Sequence, residues 1–205
     1  MNVVAKLHSS KIHGKRISSL LKNLADLVPQ QGRLLDVGCG DGLLASLLAE
    51  QTPQCQIQGI DVLVRSQTKI PVQEFDGSRI PMDDNSVDAV MMIDVLHHTD
   101  DPEILVREAR RVARQWLIIK DHNRNGFMAN STLRLMDWVG NAYNGVALPY
   151  NYLSKQEWNE LFDRTSLAIE TYRPKLGLYG MPGDLVFGRD LHFVARLDTS
   201  QPEAT

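Results

Sequence analysis

Two aspartates and three glycines make the sharpest chemical pattern in the sequence. Asp36 sits inside an apolar run, Arg33–Val37, that is followed at once by Gly38, Gly40 and Gly42. Glycines at this spacing allow a tight backbone turn and let a ligand approach the main chain where a Cβ would stand in the way. The helix expected next, Leu43–Ala49, has first-turn N–H groups without helical partners, which suit a polar ligand group. Asp61 ends the following apolar stretch, where a carboxylate can accept both hydroxyls of a ribose. Together these features imply a nucleotide-like ligand. Glycine pairs are common on their own, and this one gains weight from lying between an apolar strand and an amphipathic helix.

A second group of residues could move protons. Asp121 and His122 end an apolar run, and His97 and His98 end an earlier one. An imidazole with its ordinary pKa of about 6.5 accepts a proton at physiological pH. His122 is therefore the first candidate for a base. Asp121 could orient its ring or satisfy backbone donors, and Tyr150 is a competing orienting group. No spacing of His, Asp and Glu matches a zinc or calcium pattern, and Cys39 and Cys55 lie in no closely spaced motif. No metal is expected, and a reducing cytoplasm fits.

The elements that must hold these residues can be read from periodicity. Residues 1–11 are polar and irregular, and Ile17, Leu20, Leu21, Leu24 and Leu27 then recur at helical spacing. Strands are expected at Arg33–Val37, Gln56–Asp61, Val72–Phe75, Val87–Leu96 and Trp116–Lys120. Helices are expected at Leu43–Ala49 and Pro102–Ala113, the latter amphipathic with Glu103 and Arg107 spaced as an ion pair. This alternation predicts an α/β, doubly wound, mostly parallel sheet with its strand-to-helix turns along one edge. Ser154 and Glu157 form a capping-box pair that starts a further helix lined by Trp158, Leu161 and Phe162. The last strands, 168–172 and 191–197, read as an antiparallel pair joined by an exposed connection, 173–190. In the second, Leu191, Phe193, Ala195 and Leu197 alternate with His192, Val194 and Arg196.

With 205 residues and 43% of them hydrophobic, the chain can bury one core, so one domain over 1–205 is expected. Lys plus Arg number 22 against 25 Asp plus Glu, a formal charge of -3 that supplies no basic excess for a nucleic-acid backbone. The apolar stretches are too short and too interrupted by charge to span a bilayer.

The set Leu34–Gly42, Gly59-Ile60-Asp61, Phe75-Asp76-Gly77, Ile80–Val90 and Asp94-Val95-Leu96-His97-His98 resembles the class I S-adenosylmethionine-dependent methyltransferases. The likeness is to the small-molecule branch that includes quinone- and sterol-methylating enzymes, and it covers roughly residues 30–122. It implies a Rossmann-like seven-stranded sheet and S-adenosylmethionine as methyl donor. It further implies Asp36 near the methionine amino group, with Gly38 and Gly40 accommodating methionine and sugar. Asp61 would bind the ribose, Asp76 beside Gly77 the adenine amine, and Asp94 and Val95 would flank the methionine part. The residues agree on the ligand: Asp36 would repel a pyrophosphate but suits an ammonium, which favours the methyl donor over a nicotinamide dinucleotide. One departure is that only Leu63–Pro71 separates the Asp61 strand from the Val72 strand, where the family usually places a fuller helix.

Methyl transfer from a sulfonium is an in-line displacement that needs alignment, exclusion of water and, for a protonated nucleophile, removal of a proton. Segment 123–152, with a helix around Ser131–Ala142, supplies Met128, Leu135, Met136, Trp138, Tyr143, Tyr150 and Tyr152 and is the candidate cap over a small, aromatic or apolar acceptor. A protein or nucleic-acid acceptor is the alternative, with Lys11, His13, Lys15 and Arg16 as its binding cluster. A noncatalytic S-adenosylmethionine-binding subunit is the third reading.

Overall fold

The structure, a computed structural model, describes residues 3–126, 128–134, 150–179 and 190–200, with side chains from residue 14 onward. The chain begins with α1 (Val3–Leu24) and continues through β1 (Gln31–Val37), α2 (Leu43–Gln51), β2 (Gln54–Asp61), β3 (Val72–Glu74) and β4 (Val87–Ile93). A 3-10 turn at Leu96–His98 leads to α3 (Pro102–Val112), β5 (Ala113–His122), α4 (Lys155–Arg164), β6 (Ala168–Arg173) and β7 (His192–Asp198).

All seven strands form one sheet in the order β3-β2-β1-β4-β5-β7-β6. The first five strands are parallel, and β7 runs antiparallel between β5 and β6. Winding moves outward from β1 to β3 and then returns to β4, so the β1–β4 junction is where its direction reverses. In open α/β sheets the carboxyl ends of the strands at such a reversal are where ligands bind.

Helices cover both faces. α3 and α4 pack on one through Leu105, Val106, Ala109, Trp158, Leu161 and Phe162, against Leu35, Val90, Leu117 and Phe193. α1 and α2 cover the other, with Leu20, Leu24 and Leu48 against Leu34, Met91, Ile118 and Val194. Local chemistry fixes the helix starts. The Asp101 carboxylate accepts from the Glu103 N–H at 2.9 Å ahead of Pro102, as an N-cap should. Ser154 and Glu157 make the expected capping box.

Four expectations need correction. The helix starts at Val3 rather than after residue 11, since the opening residues contain no proline or glycine to break it. β4 stops at Ile93, because Asp94 adopts a φ of +58°, outside strand geometry. β7 does not alternate between core and solvent: His192, Phe193, Val194 and Ala195 are all buried, because helices cover both faces. The connection after β6 is not simply exposed, since Leu176 and Leu178 are buried beneath α1. Between β2 and β3 no helix intervenes. Residues 129–134 are helical, and the remainder of the expected Ser131–Ala142 helix lies outside the described residues, as do Leu135, Met136, Trp138 and Tyr143.

Candidate active site

The glycine turn leaves β1 with Gly38 at φ +70° and Gly40 at φ +60°, values that favour glycine. A Cβ on Gly38 would come within 2.6 Å of Val95 Cγ2, so the segment after β4 packs directly on the turn. A Cβ on Gly40 would meet nothing within 4 Å and would project into open space. The Gly38 N–H donates to the Ile60 carbonyl at 2.8 Å, carrying the β1–β2 ladder into the turn. Asp61 fastens the other side. Its carboxylate accepts from the Gly40 N–H at 2.7 Å and the Leu63 N–H at 2.9 Å. Each oxygen retains lone-pair capacity for a hydroxyl.

Asp36 is only 4% exposed. Burial, and then the charge of Asp61, push its carboxyl up to about 8. A cation brought beside it would restore the charged form. The residues therefore fit a ligand that carries an ammonium to Asp36, a diol to Asp61 and a narrow chain over Gly40.

Further along the edge, Gly77 has φ +83° and lies against Val62, which places the loop after β3 beside Asp61. Asp76 within it is largely committed to its own turn. Its Oδ1 accepts from the Arg79 N–H at 2.7 Å, the Ser78 N–H at 2.8 Å and the Ser78 hydroxyl at 2.9 Å. These bonds hold the carboxyl below its ordinary value. An adenine amine would have only Oδ2 to meet.

A cluster of charged and aromatic groups lies just beyond the ends of β4 and β5. Asp94, expected beside Val95 in the cofactor wall, turns its carboxylate to the Lys120 ammonium and the Arg16 guanidinium of α1. Val95 packs on the glycine turn. Lys120 is fully buried, and its Nζ lies 3.4 Å from His192 Nδ1. His122 Nδ1 lies 3.7 Å from Asp94 Oδ1.

Asp121 is the hub of the histidines. Its Oδ1 meets His97 Nδ1 at 2.7 Å and His122 Nδ1 at 3.2 Å, and accepts from the His122 N–H at 2.8 Å. Its Oδ2 accepts from the Leu96 N–H at 3.1 Å. The ligand-type atoms of His97, Asp121 and His122 all lie within 4.8 Å of one another. They are joined as hydrogen-bond partners. The His97 and His122 rings meet edge to face at 4.6 Å, and His122 and His192 lie 4.7 Å apart.

The electrostatics revise one expectation. Burial, then the Lys120 charge, then His97, push His122 down to about 4, so its ring is neutral at physiological pH and a weaker base than an ordinary imidazole. His192 is driven down by burial, Lys120 and His122. Burial works against ionised Asp94 and Asp121. Lys120 and Arg16 overcome it at Asp94, and His97 and His122 overcome it at Asp121, so both carboxylates are held well below their usual range.

The tyrosine packed against the histidines is Tyr152. Its ring lies 5.4 Å from His97 and 5.6 Å from His122, and its hydroxyl donates to the Leu133 carbonyl at 3.2 Å. Tyr150, the expected orienting group, is half-buried at φ +56°, lies 6.4 Å from Tyr152, and has the Arg134 guanidinium 4.5 Å from its ring centre. Arg16, Lys120 and His192 thus join a site for which the sequence offered His97, Asp121, His122, Tyr150 and Tyr152. Arg16 also leaves the basic cluster to which it was assigned, while the side chains of Lys11 and His13 lie outside the described residues.

A doubly wound sheet, a glycine turn at its reversal point and an acidic residue at the end of β2 define an enzyme that binds an adenosyl cofactor. Residues 10–172 match the family described as a methyltransferase domain, and the chain belongs to that family; it is a class I S-adenosylmethionine-dependent methyltransferase. It is 26% identical over 178 residues to the ubiquinone biosynthesis O-methyltransferase of Chromobacterium violaceum, a match spanning 74% of this chain and 73% of that one. Among solved structures, a SAM-dependent methyltransferase from Thermotoga maritima superposes with a TM-score of 0.65 at 20% identity, covering 96% of each chain. One from Aquifex aeolicus gives a TM-score of 0.62 at 19% identity, covering 93% of this chain and 97% of that one. Among the described residues, no helix is long and apolar enough to cross a membrane.

Proposed function

We propose that the chain transfers a methyl group from S-adenosylmethionine to an oxygen of a small-molecule acceptor. The observation that carries this reading is the carboxylate of Asp121 shared by two imidazoles, beside the glycine turn, which suits an acceptor that must lose a proton. The name of the Chromobacterium violaceum relative, an O-methyltransferase of ubiquinone biosynthesis, supports the same acceptor class.

In this reading Asp36 pairs with the ammonium of the donor, Gly38 and Gly40 leave room for its methionine and ribose, and Asp61 accepts from the ribose hydroxyls. Val95 lines the methionine part, while Asp76 and Gly77 border the adenine. When bound, S-adenosylmethionine supplies an electrophilic methyl group on a sulfonium. The imidazoles held by Asp121 receive the acceptor's proton, Tyr152 holds them in place, and Asp94 acts through Lys120 and Arg16 rather than on the donor. A displacement of this kind needs no metal. The whole chain works as one methyltransferase domain, with 123–152 as the acceptor-side cap.

Isothermal titration with S-adenosylmethionine, its demethylated product and NAD tests the cofactor half. Both adenosyl ligands are expected to bind and NAD is not. Asp61→Ala should weaken S-adenosylmethionine binding about tenfold or more, since hydrogen bonds from the hydroxyls to a charged acceptor are lost. A panel of phenols, amines and peptides tests the acceptor half. Turnover confined to peptides would overturn it.

A further inference from the structure

We propose that Glu108 and Arg111 of α3 are positioning residues for the donor's base: they fix the turn that carries Asp76, so that its free carboxylate oxygen selects an amine-bearing purine. The inference rests on the proposed place of Asp76 and Gly77 beside the adenine and names what sets that selection.

No helix or strand occupies residues 75–86, so the backbone of that stretch must find partners elsewhere. The last turns of α3 supply them. Arg111 Nη2 donates to the Ile80 carbonyl at 3.0 Å and Nη1 to the Met82 carbonyl at 2.8 Å. Glu108 Oε2 accepts from the Ile80 N–H at 3.0 Å, and the Arg111 carbonyl accepts from the Asn85 N–H at 2.9 Å. The two side chains hold each other as a fork, Nε to Oε1 at 2.8 Å and Nη2 to Oε2 at 2.7 Å, and Nη1 adds Asp84 Oδ1 at 2.7 Å. An ion pair near a surface contributes little by itself. This one matters through the main-chain groups that it fixes.

Ile80, 1% exposed, is where the anchor meets the turn. Four residues earlier, Asp76 Oδ1 takes its three bonds from Ser78 and Arg79, which leaves Oδ2 without a hydrogen bond among the described residues. Those bonds make residues 76–79 one unit. It is tied at one end by the Phe75 N–H, which donates to the Asp61 carbonyl at 3.2 Å, and at the other by Ile80. The two ties fix where Oδ2 stands relative to the carboxylate placed at the ribose. An ionised carboxylate only accepts, so Oδ2 suits the exocyclic amine of adenine and repels a carbonyl oxygen in the same position. Hydrogen bonds weaken steeply with misalignment, so a slack turn would lose this discrimination while the fold persists.

Calorimetry on the full chain with S-adenosylhomocysteine and S-inosylhomocysteine tests the proposal, because the second ligand differs in carrying a carbonyl where adenine has its amine. The unmodified protein should prefer the adenosyl ligand by about tenfold or more, the scale of a hydrogen bond to a charged group. In Arg111→Gln the preference should fall to about threefold or less, through weaker adenosyl binding at nearly unchanged inosyl binding. A merely structural arginine would weaken both ligands together, and an unmoved ratio in the folded variant overturns the proposal. Arg111→Lys keeps the charge but cannot hold two carbonyls and the carboxylates at once. It should lower the ratio as well, and it decides by the same criterion where Arg111→Gln does not fold.

Asp76→Ala separates the clamp from its target. It should abolish the preference, and adding Arg111→Gln to it should change the ratio no further, since the clamp acts through that carboxylate. A further drop in the double variant would overturn the assigned route. Equal binding of the two ligands by the unmodified protein would overturn the proposal together with the adenine role of Asp76, leaving the cofactor assignment intact. Failure of both to bind would overturn the cofactor assignment itself.

Discussion

Asp36 is where a single residue has the widest consequence. Its carboxyl, pushed up to about 8 by burial and by Asp61, is largely protonated at pH 6, while the proposed donor brings an ammonium that needs the charged form. Affinity for S-adenosylmethionine should therefore rise with pH up to about 8, with a slope approaching tenfold per unit in the acidic range. Calorimetry between pH 6 and 8 checks this, and Asp36→Asn should bind more weakly and lose most of the slope. This half of the site was legible in the sequence, because Asp36, Gly38, Gly40 and Asp61 lie in a local strand–turn–helix arrangement whose chemistry follows from spacing. The other half was not. Arg16 and Asp94 are 78 positions apart, and Lys120 and His192 are 72 apart. Nothing in a window around Lys120, which reads as the polar end of a strand, announces a buried ammonium. That Tyr152 packs on the histidines was hidden for the same reason, since neighbouring tyrosines in an irregular segment are separated only by what they pack against.

At the scale of elements, local signals predicted boundaries well wherever a side chain fixes them. The Ser154–Glu157 box and Asp101 ahead of Pro102 are both at the predicted helix starts. Ser154→Ala should destabilise the protein by about 1 kcal/mol, read as a lower urea midpoint with an unchanged slope, because α4 depends on that cap to present Trp158, Leu161 and Phe162 to the core. Boundaries set by the tertiary structure escaped prediction. β4 reads as apolar through Leu96, yet Asp94 leaves strand geometry to reach Lys120 and Arg16. β7 reads as alternating, yet α1 and α4 cover opposite faces of it. The short link between β2 and β3 was legible, as Leu63–Pro71 is too brief for a full crossover helix.

At the scale of the whole molecule, buried titratable groups should give stability a maximum in pH. Asp36 has a raised folded value, so its contribution is full below the unfolded value and is lost as pH rises toward about 8. His122 and His192 have lowered folded values. Their contribution is present above about 6.5, the ordinary imidazole value, and is lost as pH falls, through about 4 for His122. Of these three groups, the two histidines outweigh Asp36 on the acid side, and Asp36 sets the decline above it. The urea midpoint is expected to peak at about pH 6 to 7, and Asp36→Asn should flatten the decline above the peak; a midpoint that climbs steadily to pH 8 would refute this balance. The same buried charges constrain the order of assembly. During synthesis from the amino end, Asp94 and Lys120 emerge well before β7, and His192 cannot close the cluster until that strand inserts between β5 and β6. Until then the pair has no dry interior to occupy, so the sheet's central strands have little to gain from consolidating early. The chain should collapse in one concerted event late in its emergence rather than element by element, and a nascent chain halted before β7 should remain an easy target for proteases.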